Sequence, residues 1–257
     1  MLFMNLDHPT IQSQLQQAPY PLLFVTVSGA HLYGFASPDS DYDLRGAHIL
    51  PATELLGLKS PGKTVEVMDK STDVEVDLVT HDVKKFFLLL LKNNGYVLEQ
   101  ICSPLVVVST PEFEELRALV PGCITKNHRF HYLSFARNQW KLVVKGGRPT
   151  AKGLLYTYRV LLAGIHLMRT GRVESNLVRL NEEARLPYID ELIQLKLTGP
   201  EKQEVRGLNL ERHEREFLRL SAELEAARKT SSLPEEPSVR NALDDLLIRL
   251  RVKSMRG

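Results

Sequence analysis

Residues 27–45 read Val27-Ser-Gly-Ala-His-Leu-Tyr-Gly-Phe-Ala-Ser-Pro-Asp-Ser-Asp-Tyr-Asp-Leu-Arg45, two glycines followed by acids at every second position. An apolar run over 22–28, bounded by Pro21 and Gly29, leads into this stretch and has the β-branched and aromatic content of a buried strand. After a turn at Ser37-Pro38-Asp39, residues 40–49 alternate loosely as a second strand. Side chains two apart on a strand share a face, so Asp41 and Asp43 project toward one point. Converging carboxylates repel unless a cation or a proton lies between them. A hard divalent ion, Mg²⁺ or Mn²⁺, meets that need, because it takes oxygen ligands and is often held by one or two carboxylates plus substrate phosphates.

A third acid is available in residues 73–80, DVEVDLVT. There Val74, Val76 and Leu78 face a core while Glu75 and Asp77 point the other way, with Asp77 in the middle of the apolar strand. If this strand pairs beside the first, Asp41, Asp43 and Asp77 converge and can hold two metal ions. Such a pair activates an attacking hydroxyl and stabilises a leaving pyrophosphate. Ser28-Gly29 and Tyr33-Gly34 then acquire a task, since a tight glycine turn from strand into helix presents backbone N–H groups to phosphate. Gly29 permits close approach and Ser28 offers a hydroxyl. His31, in the same turn, reads equally well as a substrate contact or as a structural hydrogen bond.

Farther along, residues 64–68 and 73–80 form strands joined by a polar turn at 69–72, and Asp82 caps a helix marked by Val83, Phe86, Phe87 and Leu90. A helical piece at 96–101, a β-like run at 105–109 and a helix at 112–119 follow. Beyond Pro121-Gly122 the helical period covers 127–144, 150–170, 189–198, 211–229 and 239–252, with a break at 145–149. The expectation is an α+β protein: a small mixed-sheet domain over 1–125, then an all-helical domain over 126–257. Hydrophobic content of 43% and charged content of 25% are those of a soluble protein. No window approaches the roughly 18–20 apolar residues of a membrane span. The N-terminus lacks a secretion pattern, and Cys102 and Cys123 form no CxxC pairing, so a cytoplasmic location is expected.

Charge is uneven: the balance is −7 over 1–125, +9 over 126–185 and zero over 186–257. An acidic segment followed by a basic one suggests two functional surfaces, and solvated helix faces explain it equally. Lys152, Tyr156, Arg159, Ala163 and His166 fall on one helical face. Lys and Arg there suit a triphosphate and Tyr156 a stacked base; the alternative is that Tyr156 packs and the charges extend into solvent. Arg129, Arg137, Lys141, Lys145 and Arg148 surround Tyr132, Phe135 and Trp140, a mixture that can follow single-stranded nucleic acid, with Trp140 itself read as core. His128 and His131 have no evident partner ligand for zinc.

The pattern Gly29-x4-Gly34-x6-Asp41-x-Asp43, ending in Leu44-Arg45-Gly46, resembles the polymerase-beta-like nucleotidyltransferase superfamily. Within it the chain is most similar to bacterial nucleotidyltransferases associated with RNA repair and RNA ligases. Tyr33-Gly34, the run Ser40 to Gly46, and Asp77 correspond to their motifs, and the motif resemblance spans roughly residues 24–104. It implies transfer of a nucleoside monophosphate from a nucleoside triphosphate to a hydroxyl, with RNA, a tRNA or a damaged end, as acceptor and pyrophosphate released. Asp41 and Asp43 would hold both metal ions, and Asp77 would complete the catalytic site. Ser28, Gly29, His31, Tyr33, Ser40, Arg45, Lys152, Tyr156 and Arg159 make up the expected substrate-binding set, the last three on a basic helix across a cleft. One position departs from the pattern: the family's serine after the glycine is Ala30, with Ser28 preceding the glycine instead. The rival readings are an enzyme that nucleotidylates a protein hydroxyl and a catalytically silent nucleotide- or RNA-binding module.

Overall fold

The computed structural model describes residues 6, 8–38, 40–58, 61–69, 75–145, 150–198 and 209–255. Most of the expected break at 145–149, most of the turn at 69–72 and the first two residues of the strand at 73–80 lie outside them. The chain runs α1 (Pro9–Gln16), β1 (Leu22–Val27), α2 (Gly29–Tyr33), β2 (Tyr42–His48), α3 (Ala52–Leu56), β3 (Thr64–Asp69), β4 (Val76–Asp82), α4 (Val83–Leu91), α5 (Gly95–Cys102), β5 (Val106–Val108) and α6 (Pro111–Leu119). It continues through α7 (His128–Val144), α8 (Ala151–Thr170), α9 (Leu177–Ala184), α10 (Pro187–Thr198), α11 (Leu210–Thr230) and α12 (Arg240–Lys253).

The strands of the described residues make one mixed sheet in the order β3-β4-β2-β1-β5. β2 runs parallel to β4, and the β1–β2, β1–β5 and β3–β4 pairs are antiparallel. Alternation assigns the faces. Val25, Val27, Leu44, Val76 and Leu78 share one cluster with Ile11 of α1. On the other face Phe24 stacks on Phe113 at 4.4 Å and meets Phe86 edge-on at 5.2 Å, seating α6 and α4. This mixed sheet with a helical C-terminal region is the α+β architecture expected from the sequence.

The chain divides into two compact units. The sheet unit comprises residues 1–32, 39–123 and 237–257; the helical unit comprises 33–38 and 124–236. Chemistry accounts for the return of the last helix. Asp82, only 2% exposed, caps α4 by accepting from the Lys84 N–H at 3.1 Å. A buried carboxylate needs a charge partner, and Arg251 of α12 supplies it at 2.5 and 2.7 Å while donating to the Leu50 carbonyl at 2.6 Å. Arg249 with Glu115 and Lys253 with Glu112 add pairs along the same helix.

The helical unit is built around α8, which packs against α7, α9, α10 and α11. Trp140 is buried and stacks on Phe217 at 5.0 Å, as core. Tyr158 and His213 share a buried hydrogen bond of 2.7 Å. Residues 33–38 are held here from several sides: the Lys196 ammonium, itself buried, donates to the Ser37 hydroxyl at 2.7 Å, and Phe35 packs edge-on against Tyr156 at 5.6 Å. Among the described residues no helix is long and apolar enough to cross a membrane.

Candidate active site

At the end of β1 the chain turns sharply. The Ser28 N–H donates to the Asp43 carbonyl at 2.8 Å, which keeps the turn on β2. Gly29 follows at φ +61°, a region that residues with a β-carbon enter at a cost. A β-carbon at Gly29 would also run into the Asp43 carboxylate. Glycine is therefore demanded twice, by backbone conformation and by the closeness of a carboxylate.

The parallel register of β2 and β4 sets Asp43 opposite Asp77. Both side chains are about 30% exposed, and between them lies the guanidinium of Arg45, which shares Asp43's face of β2. Arg45 Nη2 donates to Asp43 Oδ1 at 2.7 Å and to Asp77 Oδ2 at 2.8 Å. Its Nη1 donates to the carbonyls of Leu44 and Asp77 at 2.9 and 2.7 Å, and its Nε to the Tyr96 hydroxyl at 2.9 Å. Burial opposes the arginine's charge, but Tyr96, Asp43 and Asp77 outweigh it and raise its pKa above the ordinary value. Arg45, expected among the substrate contacts, is thus engaged with the carboxylates themselves.

Asp41 stands just before β2, exposed to solvent. Among the described residues no three His, Cys, Asp or Glu side chains gather into a metal-ligand group. What the strands assemble is a pair, Asp43 and Asp77. The donor set suits a hard divalent ion: carboxylate oxygens from neighbouring strands, with space left for ligand oxygens from elsewhere. Their charge is balanced here by a guanidinium that already lies where a cation is called for.

The other expected contacts separate into groups. Ser28 is 1% exposed, and among the described residues its hydroxyl has no hydrogen-bond partner. The His31 ring stacks on Tyr42 at 4.6 Å and its Nε2 lies 3.3 Å from the Ser40 carbonyl. Tyr42 alternates with Asp43 along β2, so this stacking ties His31 to the strand position next to that carboxylate. In the helical unit Arg159 is 3% exposed and stacks on Tyr33 with its charged carbon 3.9 Å from the ring centre, where Tyr156 also meets Tyr33 edge-on. Gly34, at φ +85°, lies against the Asn176 side chain that caps α9. Lys152 and Tyr156 line a hollow of about 430 Å³ together with Gln139 and Thr150. Tyr96 went unforeseen; its only sequence signal was its place in a helical segment, and nothing local joins it to residue 45.

Comparison with known proteins follows this geometry. The chain is 34% identical over 157 residues to an uncharacterized protein of Methanocaldococcus jannaschii, covering 60% of this chain and 63% of that one. It is 25% identical over 144 residues to the uncharacterized protein YcgL of Bacillus subtilis, covering 55% of this chain and 54% of that one. The chain thus spans less than two thirds of the length of either relative. A crystal structure of a nucleotidyltransferase-like protein from Exiguobacterium sibiricum aligns with 96% of this chain and 76% of its own, at 14% identity and a TM-score of 0.34. The model of the RNA repair pathway DNA polymerase beta family matches residues 8–249, nearly the whole described chain, and the protein belongs to that family.

Proposed function

We propose that the chain is a metal-dependent nucleotidyltransferase that moves a nucleoside monophosphate from a nucleoside triphosphate to a hydroxyl of RNA. Membership of a polymerase-beta family supports nucleotidyl transfer. The observation that carries the reading is the pairing of Asp43 with Asp77 across parallel strands, directly beside the Gly29 turn. These two would hold a divalent ion, Mg²⁺ or Mn²⁺, and Asp41, at the exposed start of the strand, would complete a site for two. The ion would supply Lewis-acid stabilisation of charge on the transferred phosphoryl group.

The chain's own residues provide position. Ser28 and Gly29 border the triphosphate, and the open, solvent-facing side of Asp43 and Asp77 receives the acceptor. Within the helical unit, the hollow lined by Lys152 and Tyr156 offers a positive charge and an aromatic face of the kind a nucleotide takes, and Arg159 stacks on Tyr33. The acceptor oxygen forms a bond to the α-phosphorus, the bond to pyrophosphate breaks, and the hydroxyl proton is released. RNA is favoured as acceptor by the family and by the basic balance of residues 126–185.

Transfer of label from each α-³²P nucleoside triphosphate to small RNA or to cell protein tests the reading, with Mg²⁺ or Mn²⁺ present. D43N and D77N, folded by circular dichroism, are expected to lose more than the roughly 10–100-fold that outer-shell partners of a metal site cost. Full activity in both variants sinks the proposal. Label on protein alone makes the acceptor a protein hydroxyl, and no label despite triphosphate binding makes the chain a silent binding module.

A further inference from the structure

We propose that Arg45 is a resident counter-cation of the carboxylate pair, positioned by Tyr96, and that a divalent ion enters by taking Asp43 and Asp77 over from its guanidinium. This rests on the reading of those two aspartates as metal ligands. A single nitrogen, Nη2, serves both carboxylates, at 2.7 and 2.8 Å, as a small cation would. The other two nitrogens are fixed elsewhere, Nη1 on the Leu44 and Asp77 carbonyls and Nε on the Tyr96 hydroxyl. Those neutral oxygens carry no charge for an incoming metal ion to compete for strongly. The carboxylates can therefore turn away to a metal while the guanidinium keeps its place.

Two consequences follow from that geometry. Without metal, Arg45 relieves the repulsion between Asp43 and Asp77 and holds both in the orientation the strands give them. With metal, a positive charge remains a few ångströms away and opposes the ion, until an anionic ligand offsets it. The site then loads metal weakly alone and well with a polyphosphate, which couples cofactor entry to substrate entry. Tyr96 is a positioning residue in this scheme: its hydroxyl accepts from Nε and sets the plane of the guanidinium fork.

The test is Mn²⁺ binding to the full chain, followed by electron paramagnetic resonance, with and without inorganic triphosphate. Wild type, R45Q, Y96F and the D43N/D77N double variant are compared, each checked for folding by thermal melting. R45Q is expected to bind Mn²⁺ at least about tenfold more tightly than wild type without triphosphate, as removal of a nearby like charge dictates. Triphosphate should raise the affinity of wild type by a larger factor than that of R45Q. Y96F, which leaves the guanidinium less well held, should bind Mn²⁺ between the two. If R45Q is folded and binds Mn²⁺ no more tightly, or if triphosphate helps both equally, the proposal is overturned. Should R45Q fail to fold, Y96F decides, and an affinity equal to wild type overturns it. If wild type itself binds Mn²⁺ no better than D43N/D77N, the assignment of the carboxylates as metal ligands falls with it.

Discussion

A methyl group at Gly29 would occupy the space of the Asp43 carboxylate, on a backbone whose φ of +61° already disfavours a β-carbon. Gly29→Ala should lower stability by about 1–2 kcal/mol from conformation alone, read as a shift in the urea midpoint, and should reduce label transfer by displacing Asp43. A variant with unchanged stability and transfer would show that the turn relaxes freely. At this scale the sequence disclosed those features that depend on chain period. Asp43 and Asp77 could be placed on one sheet face because strand side chains alternate. The engagement of Arg45 with them could not, since a long flexible side chain turns where tertiary partners draw it. Ser28 read as a phosphate contact because its neighbours suggest a turn, while its burial depends on elements brought over it by the fold.

Among the elements, α12 does most to complete the sheet unit. Removing the guanidinium in Arg251→Ala leaves Asp82 buried beneath it without a charge partner, and breaking a buried pair from one side costs about 3–5 kcal/mol. Arg249→Ala, which loses an exposed pair with Glu115, should cost no more than about 1 kcal/mol. Denaturant unfolding of both variants checks the contrast, and equal losses would refute it. Neither pairing was legible beforehand, because an amphipathic period shows that a helix has a buried face but not what covers it. The short α1, α3 and α9 escaped notice for a related reason: with 5 to 8 residues each, they offer too few turns for a period to stand out. The basic excess over 126–185 also reads differently once its partners are known. Lys126, Arg129 and Arg169 pair with Glu235, Glu225 and Glu223, so part of that charge is neutralised within the helical unit.

For the whole molecule, acid should be more damaging than a net charge of +2 suggests. Burial lowers the pKa of His48 to about 4, with Asp82 opposing and Arg251 adding to the shift. Burial likewise lowers His128 to about 4, against the opposing effect of a hydrogen bond at Thr125. The unfolded chain binds these protons near pH 6.5 and the folded chain only near pH 4, so stability is lost as pH falls through that window. Each histidine contributes a slope of at most about 1.4 kcal/mol per pH unit. Urea unfolding at pH 7, 6 and 5 should show the decline, and H128Q should flatten it; an unchanged slope in that variant would remove His128 from the account. The division of the chain into units was only partly readable. The change in composition near 125 falls close to the end of one sheet-unit segment at 123, whereas the return of 237–257 is set by contacts far apart in sequence.

That return has a consequence during synthesis. The sheet unit lacks α12 until residues 124–236 have been translated, which at about 5–20 residues per second takes roughly 6–20 s. Throughout that interval Asp82 on the nascent chain has no Arg251 to meet it, and the groove awaiting α12 along α4, with Phe87, Leu88 and Leu91, remains open. Most of the sheet unit is thus synthesised before the helical unit, yet its last helix is added only after it.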